Sequence, residues 1–150
     1  MQASEQVSEK RMTSRLCTYW EKLKKDCKIP DIHRFNSEAL PEVWPQCFMV
    51  SVMDGDPIMY KVEYVGDIVV QMFGKSLQGN MLSASIKSIP GATVIGDIDE
   101  CVRAVDVVKR HGTFVNDKSK IVKYRSCMLP FGAEGGEVSH VVIGLSWKSF

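Results

Sequence analysis

The sequence carries no surplus of either charge, no apolar run long enough to span a membrane, and no cysteine spacing suited to a metal. Nineteen Lys and Arg against eighteen Asp and Glu leave a formal charge of +1, so no broad field draws nucleic acid or an anionic membrane to the surface. No stretch nears the roughly 18 apolar residues of a spanning helix. The polar start MQASEQVSEKRMTSR lacks the apolar segment of an export signal. The five cysteines, Cys17, Cys27, Cys47, Cys101 and Cys127, show neither CxxC nor Cys/His spacing, and an odd number cannot all pair within the chain. A reducing, cytoplasmic setting is the expectation. Repeats and low-complexity stretches are also missing. What is present is one domain's worth of chain, 150 residues of which 45% are hydrophobic, enough for an apolar core without metals or disulfides.

Residues 1–12 read as a flexible tail, 13–46 as an N-terminal helix with a Pro-rich connector, and 47–150 as the core of the domain. Between Thr13 and Asp26, the residues Leu16, Tyr19, Trp20 and Leu23 fall at i, i+3, i+4 and i+7, one face of an amphipathic helix capped by Thr13 or Ser14. Lys22, Lys24, Lys25 and Lys28 read as its solvated side. Strands are expected at Cys47–Met53 and Pro57–Val65, joined in a hairpin by Asp54-Gly55-Asp56. Residues 66–96 read as short helical turns broken by Gly74, Gly79, Pro90 and Gly91. From Asp97 to about Arg110, Ile98, Cys101, Val102, Val105 and Val108 make a second helical stripe. Asp97 is its expected cap, Glu100 completes a capping box, Lys109 and Arg110 fill the last turn, and Gly112 ends it.

Three further strands, Thr113–Asn116, Lys120–Phe131 and Glu137–Trp147, read as a meander. The fold class is therefore α+β: a five-stranded antiparallel sheet with helices on one face, plus the N-terminal amphipathic helix. The last strand is apolar on both sides, Val141, Ile143, Leu145 and Trp147 against Val138 and Val142. An antiparallel sheet with one wet face would not show this. The first helix is the expected cover, with a partner subunit as the alternative.

This order of elements, together with Val65-Gly66, Phe73-Gly74-Lys-Ser-Leu-Gln-Gly79, His111-Gly112-Thr-Phe-Val and Tyr124-Arg-Ser-Cys-Met-Leu-Pro130-Phe131, resembles a PAS domain over about residues 47–147. The glycines of the first segments are read as positive-φ turns that lead from the second strand to the helical face. Tyr19-Trp20-Glu21-x-Leu23, Ile29-Pro30 and Leu40-Pro41-x-x-x-Pro45 resemble the leader of bacterial, stand-alone PAS proteins without an attached effector. The resemblance implies a PAS-like sheet around a mixed hydrophobic pocket, and a sensory or regulatory module of signal transduction that acts in trans.

Inward parity assigns the pocket lining to Tyr60, Val62, Met72, Phe73, Val102, Val105, Tyr124 and Met128. Leu16, Tyr19, Trp20 and Leu23 are the expected dimer or partner surface. The expected partners are signalling proteins, a second copy in a homodimer, and a small apolar ligand. A ligand-free interaction adaptor is the alternative function. No cofactor is expected: a flavin photosensor needs a cysteine in the helical region, and Phe48 to Glu100 has none, while His33, His111 and His140 are not placed as haem ligands. No metal site is expected either, since Asp97, Asp99 and Glu100 suit a helix start. Gly74-Lys75-Ser76 is a turn, because Val69 stands where a phosphate loop requires glycine. Cys101 and Cys127 are placed beside the pocket as small apolar side chains, with a response to oxidants as the alternative. Catalysis is not expected; Ser126 and His140 are the polar groups an enzyme reading would have to use.

Overall fold

The first apolar stripe of the chain forms α1 (Glu9–Lys24) in the computed structural model, which describes residues 5–83, 92–133 and 136–150. Ser8 caps it, accepting a hydrogen bond from the Arg11 amide at 3.2 Å. The helix thus starts four residues before the expected Thr13, and Met12 is fully buried. Residues 5–8 are also tied to the sheet, so the expected tail is corrected there. The Gln6 side chain donates to Trp147 O and accepts from Trp147 N, and the buried Gln46 accepts from Val7 N and donates to Leu145 O. These polar anchors lie far apart in sequence, and helical periodicity alone gives no sign of them.

Three short 3-10 turns, Ile32–Arg34, Ser37–Ala39 and Trp44–Gln46, carry the connector. Asp31 and Asn36 cap the first two through their side-chain oxygens. The hairpin follows as expected, β1 (Cys47–Met53) paired antiparallel with β2 (Met59–Val65). Next come α2 (Asp67–Phe73), the two-residue strand β3 (Met81–Leu82) and α3 (Ala92–Ala104). Gly74 and Gly79 take the expected positive φ, 82° and 83°. Gly66 does not; a Cβ there would lie 2.2 Å from Pro45 O, so its role is close backbone approach. Pro90 and Gly91, two of the expected helix breakers, lie outside the described residues.

The chain then enters β4 (Val108–Val115), β5 (Ile121–Gly132) and β6 (Val138–Ser149). The long helix expected from Asp97 to Arg110 is corrected on both ends: α3 begins at Ala92, and the chain turns at Val105 with φ 54°. Asp97 and Glu100 therefore sit inside the helix rather than at its cap, and Lys109, Arg110 and Gly112 belong to a strand. The physical reason is pairing. Every residue of β4 from Val108 to Val115 has a partner on β5, and a ladder that satisfies the backbone over eight positions outweighs a helical stripe.

The sheet has six strands rather than five, in the order β3-β2-β1-β6-β5-β4, because Met81 and Leu82 pair with β2 at its edge. Burial along β5 alternates up to Arg125 and is continuous from Ser126 to Gly132. That change marks where the second face becomes covered. On the inner side, Phe48, Tyr60, Val62, Met128 and Ile143 pack with Met72 and Phe73 of α2 and Ile98 of α3. On the outer side, Met12, Leu16 and Trp20 of α1 pack with Cys127, Leu129, Phe131 and Val142. The first helix is the cover of the outer face.

Candidate functional site

On the inner face, aromatic rings of the described residues meet one another. Phe73 meets Phe48 at 5.9 Å and Phe114 at 5.8 Å, and Phe114 meets Tyr124 at 5.9 Å between centroids. Two phenols pin the sheet to α3: the Tyr60 hydroxyl donates to Asp99, and that of Tyr124 to Thr93 Oγ1 at 3.1 Å. Burial pushes both phenols above their ordinary range, with Asp99 adding to the effect at Tyr60. Of the expected pocket lining, Tyr60, Val62, Met72, Phe73, Tyr124 and Met128 belong to this cluster, and Val102 packs against it half-buried. Val105 does not. The turn after α3 sends it to the outer cluster with Val107.

The expected partner stripe is also placed differently. Leu16 and Trp20 are 0% and 2% exposed, packed on the sheet by the inner side of α1, while Tyr19 and Leu23 stay half-buried. The Trp20 indole donates to Pro130 O at 2.8 Å, and Tyr19 Oη accepts from the Asn36 amide at 2.8 Å. These bonds fasten the helix to β5 and to the connector. Arg11 and Arg15 both pair with Glu42, the latter at 2.7 Å.

A concavity lies on the other side of the sheet from the rings. It is an open groove of about 810 Å³ beside the start of α1, bordered by His111, Thr113, Lys123, Arg125, Ser146 and Lys148 with Ser8 and Glu9. Arg125 stands between His111 and Ser146, and Lys123 between Thr113 and Lys148, in adjacent cross-strand rows. Alternation puts these polar side chains outward, opposite Val122 and Tyr124. The row was not anticipated because residues 109–112 read as helix. Its signal is the polar alternation of Lys123 and Arg125 within β5.

Other candidates separate in space. His111 lies in a strand of the groove, not at a helix end, and none of the three histidines joins the inner cluster. Ser126 faces inward and donates to Arg110 O, whereas His140 is in register with Ser51 and Phe131 on the outer side, where burial lowers its pKa. The two cannot act together. Glu100 pairs with Arg110, at 2.8 Å to Nε, and no group of three or more metal-binding side chains occurs among the described residues. Cys101 is inside the inner cluster and Cys127 in the outer one, so they do not flank one pocket. Cys127 instead faces Cys17 of α1, sulfur to sulfur at 3.8 Å. A hydrogen bond from Cys127 and the charge of Lys109 hold the Cys17 thiol down to about 7, against the opposing effects of burial and Glu21. Cys127, buried and donating, is pushed up.

The described side chains of the inner face are engaged with one another: the rings are in mutual contact, Tyr60 and Tyr124 donate to α3, and the Cys101 thiol donates to Asp106 O. No helix among the described residues is long and apolar enough to cross a membrane.

Comparison with solved structures shows the same fold at low identity. The Rhodobacter sphaeroides LOV protein aligns with a TM-score of 0.52 at 9% identity, over 67% of this chain and 57% of that one. A light-oxygen-voltage domain studied with a flavin analogue aligns at 0.55 and 8%, over 75% and 83%. The photo-excited blue-light photoreceptor Vivid aligns at 0.51 and 11%, over 87% and 93%. No curated protein matches the sequence. The PAS domain family model matches residues 8–145, nearly the whole described fold including α1, and the chain belongs to the PAS domain family.

Proposed function

We propose that this protein is a regulatory PAS module that signals by docking another protein on the outer face of its sheet. One observation carries this reading: α1 covers part of the outer face, and beside it runs an open groove bordered by Lys123, Arg125, Lys148 and His111, while the described rings of the inner face pack on one another. A partner reaching the groove touches the start of α1 at Ser8 and Glu9. Docking is thereby coupled to how the helix covers the sheet, the two-state element a signal requires. The same face offers Val115, Ile121 and Phe150, all more than half exposed, for self-association in place of the buried Leu16 and Trp20. The separation of Ser126 from His140 supports a non-catalytic role.

A second reading, a sensor of a small apolar ligand in the inner cluster, is favoured by the Tyr60–Asp99 and Tyr124–Thr93 bonds, which a ligand entering between sheet and α3 would displace. Native mass spectrometry of freshly purified protein separates the two. The docking reading expects the mass of the chain or its oligomer alone; a stoichiometric small molecule overturns it in favour of the sensor. In cells, cross-linked partners captured by the wild type should be lost from a Lys123→Glu, Arg125→Glu variant. Retention of the full set would place docking elsewhere.

A further inference from the structure

We infer that Cys17 and Cys127 form a hydroperoxide-responsive thiol pair, which closes into a disulfide joining α1 to β5. The two residues are 110 positions apart, on different elements, and their sulfurs already stand 3.8 Å from each other. Cys17 is half-buried at the edge of the helix and reachable from solvent; Cys127 lies beneath it, fully buried. This division suits an attacking thiol and a resolving thiol. The lowered pKa of Cys17 supports the same order, since the Cys127 proton and then the charge of Lys109 from β4 stabilise its thiolate, against burial and Glu21 on its own helix.

The remaining cysteines lack this arrangement. Cys47 is buried and donates to Val43 O at 3.2 Å, and Cys101 is buried on the opposite face with its thiol pushed up to about 12. Cys27 is exposed. With hydrogen peroxide as oxidant, the Cys17 thiolate attacks one peroxide oxygen. The S–O bond forms, the O–O bond breaks, and the departing hydroxide takes up a proton to leave as water. The Cys127 sulfur then attacks the sulfenic sulfur of Cys17; the S–S bond forms, the S–O bond breaks, and the Cys127 proton leaves with the oxygen as a second water. In sum two thiols are oxidised and one peroxide is reduced to two waters. The disulfide fixes α1 over the outer sheet face, a chemistry that stands independently of what docks there.

The test treats the 150-residue chain with hydrogen peroxide in a Cys27→Ser background, followed by intact mass and peptide mapping. The expected result is loss of two hydrogen masses, with the peptides of Cys17 and Cys127 joined and the original mass restored by a reductant. In Cys127→Ser the Cys17 sulfenic acid should persist and be trapped by a dimedone reagent; in Cys17→Ser no disulfide should form. If either variant fails to fold, mapping of the wild type decides. There, oxidation of Cys17 to the sulfinic acid with Cys127 still free, or oxidation of Cys27 at least as fast as that of Cys17, overturns the inference.

Discussion

At the scale of single residues, Tyr60 shows how one polar group serves an apolar face. It is fully buried, and its hydroxyl reaches Asp99 of α3. Tyr60→Phe leaves the packing and removes the bond, so we expect a loss of about 1–2 kcal/mol in urea unfolding at neutral pH. The alkaline side gives an independent check. Burial, then Asp99, raises the folded-state pKa of Tyr60, and burial raises that of Tyr124. A phenol with a raised pKa stabilises the fold below the unfolded value of about 10, and that stabilisation is lost as pH climbs above it. Stability should therefore fall steeply above that pH, and less steeply in Tyr60→Phe. An unchanged alkaline slope in the variant would place the titrating group elsewhere.

Among the elements, α1 carries the outer core. Trp20 is 2% exposed, packs on the β5 side of the sheet, and donates to Pro130 O at 2.8 Å. Trp20→Ala should cost about 3–5 kcal/mol, because a large buried side chain leaves a cavity and orphans a carbonyl. Hydrogen exchange should then show α1 opening before β5 and β6. Trp20→Phe keeps most of the packing and should cost less, with α1 protection largely retained. Equal losses in the two variants would mean that the hydrogen bond, and not the packing, holds the helix.

For the whole molecule, the decisive feature is that both cores share β5 and β6. Val122, Tyr124 and Met128 of β5 face one cluster while Cys127, Leu129 and Phe131 face the other. Losing either cluster exposes strands the other depends on, so the two should unfold as one unit. Tryptophan fluorescence, with Trp20 and Trp44 against the outer core and Trp147 against the inner, should follow the same urea midpoint as far-ultraviolet circular dichroism. Separate midpoints would show α1 and its cluster to be an independently unfolding layer, which would strengthen its part in signalling.

The sequence alone determined the pieces whose information is local. Alternating residues and the Asp54-Gly55-Asp56 turn located β1 and β2, and the Leu16 to Leu23 stripe identified α1 and its likeness to a cover. The same reading reached the family through Phe73-Gly74 and Gly79, whose positive φ the structure bears out. Tertiary structure alone decided what depends on distant partners. The strand at Val108–Val115 exists because β5 pairs with it, and β3 because Tyr60 and Lys61 accept an edge. Hence the basic groove, assembled from β4, β5 and β6, had no local signature, and Val105 left the pocket when the chain turned early. Cys17 and Cys127, 110 residues apart, meet only because α1 lies across the sheet. Period and turn chemistry act between near neighbours, whereas sheet pairing and packing compare every segment with all others, and only the folded chain makes that comparison.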